Sequence, residues 1–203
     1  MKSSLSGLTT DSKTRCAWSA SDSLYVNYHD VEWGRPSYDD RHLFEMLVLE
    51  SMQSGLSWIT ILRKRDTFRA AFKNFEIEPV ARFNEKKIEQ LLANPGIIRN
   101  RAKIVAAIEN AKAATRVLKK TGSLATFLWE TVDGAPRQND WKSGDEIPAE
   151  TEESKALAKR LKEHGFKFLG PTTCYAFMQA VGMVNDHLVH CFRYSELRVR
   201  SER

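Results

Sequence analysis

The segment Leu157-Ala158-Lys159-Arg160-Leu161-Lys162-Glu163-His164-Gly165-Phe166-Lys167-Phe168-Leu169-Gly170-Pro171-Thr172-Thr173 decides how the fold is read. A basic helix ends at Gly165, a residue suited to the left-handed position just past a helix C-terminus. Phe166 to Leu169 form a short apolar loop. Gly170 then opens a second helix with Pro171 at its first position, where a missing N–H costs nothing. In a helix–hairpin–helix of this kind, backbone N–H groups at the start of the second helix point outward and can bind a phosphate. On shape alone an ordinary helical hairpin is the plainer reading, so the rest of the chain has to choose.

Outward from the hairpin the pattern is almost wholly helical. Helices are expected near 39–52, 57–73, 85–93, 99–119, 123–131, 154–164 and 171–181. Asp39 and Asp40 supply N-cap chemistry for the first. Ile104, Ala107, Ile108, Ala111 and Val117 recur at helical spacing in the longest. Asn94-Pro95-Gly96 breaks the chain before it, and Thr151 to Ser154 opens the next clear helix. Alternating apolar runs are nearly absent, so strands have little support. Asp133 to Glu150 is a long polar connection, with a short strand or turn as an open alternative within it, and its role is not disclosed by the residues. These features predict an all-α protein with one domain over 15–195, a disordered tail over 1–14 and a C-terminal tail over 196–203.

The 203 residues suffice for a sizeable core, and the net charge of +5 points weakly to an anionic partner. Residues 59–120 hold 15 Lys/Arg against 6 Asp/Glu, and residues 21–58 hold 2 against 7. That asymmetry predicts a basic and an acidic part of the surface. No apolar run approaches a membrane span, and Met1 to Thr10 lack the apolar core of a signal peptide. A cytoplasmic protein with no membrane partner is expected. Three cysteines in such a chain argue against a disulfide framework.

One carboxylate is in unusual company. Leu43-Phe44-Glu45-Met46-Leu47-Val48-Leu49-Glu50 reads as a helix apolar nearly all round, hence buried. Glu50 stands at its end, on the face of Phe44 and Leu47. Burying a charge there is costly unless something pairs with it. Trp18, Tyr25, Tyr28 and Trp33 lie upstream and Trp58 downstream. A carboxylate walled by aromatics is a good receptor for a flat cation. A cap or a local ion pair with Arg or Lys is the alternative.

Cys16 and His29 lie near one end of the sequence, His187 and Cys191 near the other. Two Cys and two His make a complete tetrahedral zinc set with no open position. Such an ion would be structural, clipping the two ends of the chain together. The pairs are far apart, and spacing alone fits a buried cysteine and surface histidines better. Cys174, on the apolar second hairpin helix, reads as core.

Taken together, the pieces resemble the bacterial 3-methyladenine DNA glycosylase I (Tag) family of helix–hairpin–helix DNA glycosylases. The resemblance rests on Cys16-Ala17-Trp18, Tyr25 to Gly34, Leu49 to Trp58, Gly96 to Ile104, Gly165 to Gly170, Tyr175 to Ala180 and Val184 to His187. It runs from about Cys16 to Cys191, with several distinct blocks in order. It implies two helical lobes flanking a DNA groove, and one structural Zn2+ on Cys16, His29, His187 and Cys191. It implies a base pocket of Glu50, Tyr28 and Trp58, with Trp18, Tyr25 and Trp33 nearby. DNA contacts would come from Gly55, Leu56, Phe168, Gly170, Thr172 and Thr173. For Gly55, simple helix termination is an equal reading.

Many relatives in the wider superfamily place a catalytic Asp shortly after the hairpin. Here the aligned position is most simply Asn185, with Asp186 beside it, and the Tag pattern shares that lack. Lyase relatives carry Lys where this chain has Pro171-Thr172-Thr173, so no lyase activity is expected. Met52, Ser54 and His190 are local variations away from the implied ligands. The resemblance therefore implies a monomeric, monofunctional enzyme that flips out N3-methyladenine from alkylated double-stranded DNA and hydrolyses its glycosidic bond. The rival readings are a zinc-stabilised DNA-binding module without catalysis, which needs no aromatic pocket, and a zinc hydrolase, which needs an open zinc position.

Overall fold

The computed structural model describes residues 12–198. Residues 1–11 and 199–203, the outer parts of the two expected tails, lie outside the described residues. The described chain contains the helices α1 (Ser23–Val31), α2 (Asp40–Gln53), α3 (Trp58–Ala71), α4 (Ile77–Ala81), α5 (Glu85–Ala93), α6 (Arg101–Thr121), α7 (Leu124–Trp129), α8 (Glu152–Glu163), α9 (Pro171–Ala180) and α10 (Phe192–Glu196). A 3₁₀ turn at Ala17–Ser21 precedes α1. The expected helices all form, with ends shifted by a few residues. The sequence reading missed α1, α4 and α10, which are short or carry no clear apolar stripe.

Helix α2 is the axle. Every residue from Leu43 to Met52 is buried, and α3, α6, α7 and α9 pack around it. Burying each large apolar side chain there contributes roughly 1.5–3 kcal/mol. Buried residues from both sides of α2 form one continuous cluster, from Phe68, Phe72 and Ile104 to Leu161, Phe177 and Met178. The Asp39 carboxylate caps α2, accepting from His42 N at 2.6 Å. Asp40 does something else: it accepts from Ser123 Oγ at 3.0 Å and Ala125 N at 2.7 Å, tying α2 to the start of α7. Thr151 and Ser154 form a reciprocal capping box at α8.

One expectation changes. The acidic and basic segments do not simply face solvent apart; much of their charge is paired between them. Arg63 binds Asp22, Arg65 binds Glu32 and Glu45, and Arg69 binds Glu45. Glu45 is fully buried; burial raises its pKa, but Arg65 and Arg69 prevail and hold it below the usual range. The polar connection holds the short strand allowed for it. Arg137–Gln138 (β1) pairs in parallel with Val184–Asn185 (β2), a two-residue ladder in an otherwise helical protein. Trp141 continues the brace, its backbone carbonyl accepting from Val189 N at 2.9 Å.

Thr14 O accepts from Phe192 N at 2.9 Å, so the inner end of the expected N-terminal tail is fastened to α10. No helix among the described residues is long and apolar enough to cross a membrane.

Candidate active site and metal centre

A cavity of about 350 Å³ opens between the start of the chain, α1, the end of α2, the start of α3 and α9. It is lined by Trp18, Tyr25, Tyr28, Trp33, Glu50 and Trp58, together with Gln53, Ser57, Ala176 and Gln179. The aromatic wall is interlocked. Trp18 meets Tyr25 edge-on at 5.5 Å and Trp33 at 5.1 Å, and Tyr28 lies 5.6 Å from Trp58. Helix α1 brings Tyr25, Tyr28 and His29 together, so one short helix serves both the cavity and the metal centre.

Glu50 sits at the back of this wall, 5% exposed. Neither the cap nor the ion pair considered as its alternative forms: it has no hydrogen bond or salt bridge among the described residues. Burial alone pushes its pKa up to about 8. Beside it, the phenol of Tyr28 is pushed well above its usual value by burial and then by the charges of Glu50 and Glu32. Tyr28 OH and Trp58 Nε1 are buried without hydrogen-bond partners. Orphaned polar groups are rare inside native proteins, and two at one cavity, beside the unpaired Glu50, point to a ligand that satisfies them. Tyr25 is different, since its hydroxyl accepts from Ile59 N at 2.9 Å at the head of α3.

Past the cavity, α2 ends and Gly55 takes a left-handed φ of +80°, turning Leu56 outward to 42% exposure. Lys103 of α6 holds this turn. Its buried ammonium donates to Met52 O at 2.9 Å and Ser54 O at 2.6 Å, and burial lowers its pKa. A lysine in the apolar stripe of α6 gave no sign of this role in the sequence.

The hairpin loop and the first turn of α9 do not line the cavity. Phe168 is 53% exposed at φ +57°, and a Cβ added at Gly170 would meet nothing within 4 Å. Thr172 is exposed and Thr173 half-buried in the first turn of α9. Asn110, fully buried in α6, grips the loop at both ends of one residue. Its Nδ2 donates to Lys167 O at 3.1 Å, and its Oδ1 accepts from Lys167 N at 2.7 Å. Cys174 is core; its thiol is pushed up to about 12 by burial.

Cys16, His29, His187 and Cys191 converge, all buried, with their ligand atoms within 4.8 Å of one another. His29 Nε2 lies 3.4 Å from Cys191 Sγ, and His187 Nδ1 lies 3.7 Å from Cys16 Sγ and 3.6 Å from Cys191 Sγ. These are about the edge lengths of a tetrahedron built on bonds of roughly 2.0–2.3 Å. The outward nitrogens are already engaged: His29 Nδ1 with Asp30 at 2.8 Å and His187 Nε2 with Trp33 O at 3.1 Å. Partners of that kind orient metal-bound histidines. A hydrogen bond between the sulfurs pushes Cys16 far up and holds Cys191 far below the usual thiol range. Gly34 makes the packing possible, because a Cβ there would stand 2.9 Å from His187 Nε2 at a φ of +78°.

The pair after the hairpin is fully committed to structure. Asn185 donates to Gln138 Oε1 and Tyr194 O, each at 3.1 Å, and accepts from His187 N. Asp186, 1% exposed, accepts from Asn139, Trp141, Tyr175 and Gln179. Neither lines the cavity.

This is the architecture of a helix–hairpin–helix DNA glycosylase: an aromatic, acid-bottomed pocket beside an outward hairpin. The family model for methyladenine glycosylases matches residues 18–194. DNA-3-methyladenine glycosylase 1 of Escherichia coli (strain K12) is 47% identical over 180 residues, covering 89% of this chain and 96% of that protein. A crystal structure of 3-methyladenine DNA glycosylase I (TAG) superposes with a TM-score of 0.85 at 52% identity, over 88% of this chain and 98% of the other. A Tyr-to-Phe variant of such an enzyme, in complex with 3-methyladenine, gives 0.85 at 38% identity, over 88% and 96%. The chain belongs to the methyladenine glycosylase (Tag) family.

Proposed function

We propose that this protein is a monofunctional DNA glycosylase that releases 3-methyladenine from alkylated double-stranded DNA, and so starts base excision repair at the chromosome in the cytoplasm. One observation carries the reading: a buried, unpaired carboxylate faces a cavity walled by five aromatic side chains. Neutral adenine offers its amino hydrogens but no positive charge to compensate that carboxylate. N3-methylation makes the ring cationic, and the cation compensates it.

In the proposed reaction the damaged nucleotide leaves the stack, at a cost of a few kcal/mol that weakened pairing reduces. Leu56, turned outward beyond Gly55, enters the gap. Phe168, Gly170, Thr172 and Thr173 of the hairpin hold the backbone. Tyr28 and Trp58 stack on the ring, with Trp18, Tyr25 and Trp33 closing the wall; each cation–aromatic contact contributes roughly 0.5–2 kcal/mol. Glu50 accepts from the amino edge and complements the charge. Water bonds to C1′ of the sugar as the N-glycosidic bond breaks; the bonding electrons go to the ring, which leaves neutral, and the water gives up a proton to the surrounding solvent. A monomer with a single unit over 15–195 suffices for this chemistry.

We infer further that Cys16, His29, His187 and Cys191 hold one Zn2+. The ion supplies no chemistry to the base; it clips the turn before α1 to the segment before α10, and four protein ligands leave no position for water.

The test is base release from methylated duplex DNA by the protein and by Glu50→Ala, with products resolved. Release of 3-methyladenine by the parent and a strong loss in the variant support the reading. Tight DNA binding with no release by either overturns it in favour of a binding module.

A further inference from the structure

Resting on the excision reading, we propose that Gln179 is a specificity-determining residue of the pocket, and that Asp186 is the positioning residue that fixes which end of its amide the base meets. Gln179 and Ala176, one helical turn apart on α9, line the cavity together with the aromatic side chains. Behind them, out of the cavity, lies Asp186. Four donors converge on its carboxylate: Asn139 Nδ2 at 2.7 Å and Trp141 Nε1 at 2.9 Å on Oδ1, Tyr175 OH at 2.6 Å and Gln179 Nε2 at 2.8 Å on Oδ2.

A primary amide has a donating and an accepting end, and rotation by half a turn exchanges them. A carboxylate that only accepts removes the choice. The NH2 of Gln179 must face Asp186, so the carbonyl Oε1 is the end left over. That oxygen has no hydrogen bond among the described residues. The pocket then offers two acceptors, the Glu50 carboxylate and the Gln179 carbonyl.

Adenine carries an exocyclic amino group with two hydrogens, one for each acceptor. Guanine carries a carbonyl oxygen at the same ring position. N3-methylation makes both bases cationic while they are bonded to the sugar and both leave neutral, so charge does not separate them. Two fixed acceptors do: they pair with the amine and leave the carbonyl facing lone pairs. A site built for a hydrogen bond rejects an analogue that cannot make it far more strongly than an apolar pocket does. The polar connection between α7 and α8 acquires a purpose here, since Asn139 and Trp141 help lock Asp186 in place.

The experiment compares 3-methyladenine with 3-methylguanine in two ways: release from methylated DNA, and tryptophan-fluorescence titration with each free base. The variants are Gln179→Met, which keeps length and loses the amide, and Asp186→Asn, which offers Gln179 a partner for either end. The parent is expected to favour 3-methyladenine, and both variants to lower that preference about tenfold. An unchanged ratio in Gln179→Met, even with lower overall activity, overturns the assignment. If Asp186→Asn fails to fold, the Gln179→Met ratio decides alone. A parent that binds 3-methyladenine but releases none overturns the excision reading, and the titration still judges Gln179. A parent that binds neither free base overturns the assignment of Gln179.

Discussion

Replacing Glu50 by Gln should make the ligand-free protein more stable, by an amount that grows with pH. Burial holds the Glu50 carboxyl at about 8 against an ordinary 4.5. As pH rises past 4.5 the unfolded chain gives up this proton while the folded chain keeps it. The folded state binds more protons, so stability falls with pH until the folded group also ionises near 8, and stays low above that. Gln has no proton to lose and escapes the penalty. At ~1.4 kcal/mol per pH unit, the gain is about 1 kcal/mol near pH 5 and about 4 kcal/mol near pH 8. Solvent entering through the cavity mouth makes the second figure an upper bound.

Urea unfolding of parent and variant at the two pH values, with the same metal content, measures the gap directly. A gap that does not widen between about pH 5 and pH 8 refutes the account of Glu50 as an uncompensated acid. The same variant should lose affinity for cationic bases while keeping it for neutral purines, because a bound cation restores the carboxylate to its charged form. Stability gained and selectivity lost are thus one effect, seen with the pocket empty and filled.

Metal analysis should find one zinc per chain, and His29→Ala or Cys191→Ser should lose it and unfold more readily by roughly 3 kcal/mol or more; a full-strength fold without metal would contradict the clip. Gly170→Leu, where the backbone lies open, should weaken DNA binding several-fold and leave free-base binding intact. Asn110→Ala removes both bonds to Lys167 and should do the same, with a stability loss of about 2 kcal/mol. Lys103→Met frees the carbonyls of Met52 and Ser54 and so loosens the turn bearing Leu56. It should slow release from duplex DNA far more than it weakens free-base binding, and equal losses in both would remove Lys103 from the flipping machinery.

The large helices were readable because their apolar positions repeat at helical spacing and their caps are local. Gly165, Gly170 and Pro171 marked the hairpin for the same reason. The cavity residues were suggested by residue type, with Glu50 ending an otherwise apolar run, although their convergence depended on α1, which was missed. Tyr25, Tyr28 and His29 face three different partners there, so no stripe appears. The four metal-cluster residues lie up to 175 positions apart, and spacing cannot report a closure made by the whole fold. Least legible were Lys103, Asn110 and Asp186. Each is a polar residue buried among apolar neighbours, and each has its partners 45 or more residues away, apart from the two contacts Asp186 makes to α9. Local pattern carries no trace of such bonds.

The position of Asp186 explains how the proposed reaction proceeds without a dedicated base. Asp186 and Asn185 spend their polar atoms on β1, the polar connection and α9, so neither reaches the sugar. A neutral adenine leaving group would require protonation, and the acids of the pocket are weak ones: Glu50 keeps its proton up to about 8 and Tyr28 is pushed further from ionising. Methylation at N3 has done that work beforehand, because the ring already carries the positive charge that departure relieves. What remains is to admit only bases carrying that charge. An isolated buried carboxylate is suited to this selection, because it destabilises the ligand-free site by kilocalories and a cation recovers that energy where a neutral base cannot. Selection and catalysis then rest on the same electrostatic difference, which is why an unpaired Glu50 is tolerated in a core where Glu45, just over one turn earlier, is neutralised by three arginines, Arg41, Arg65 and Arg69.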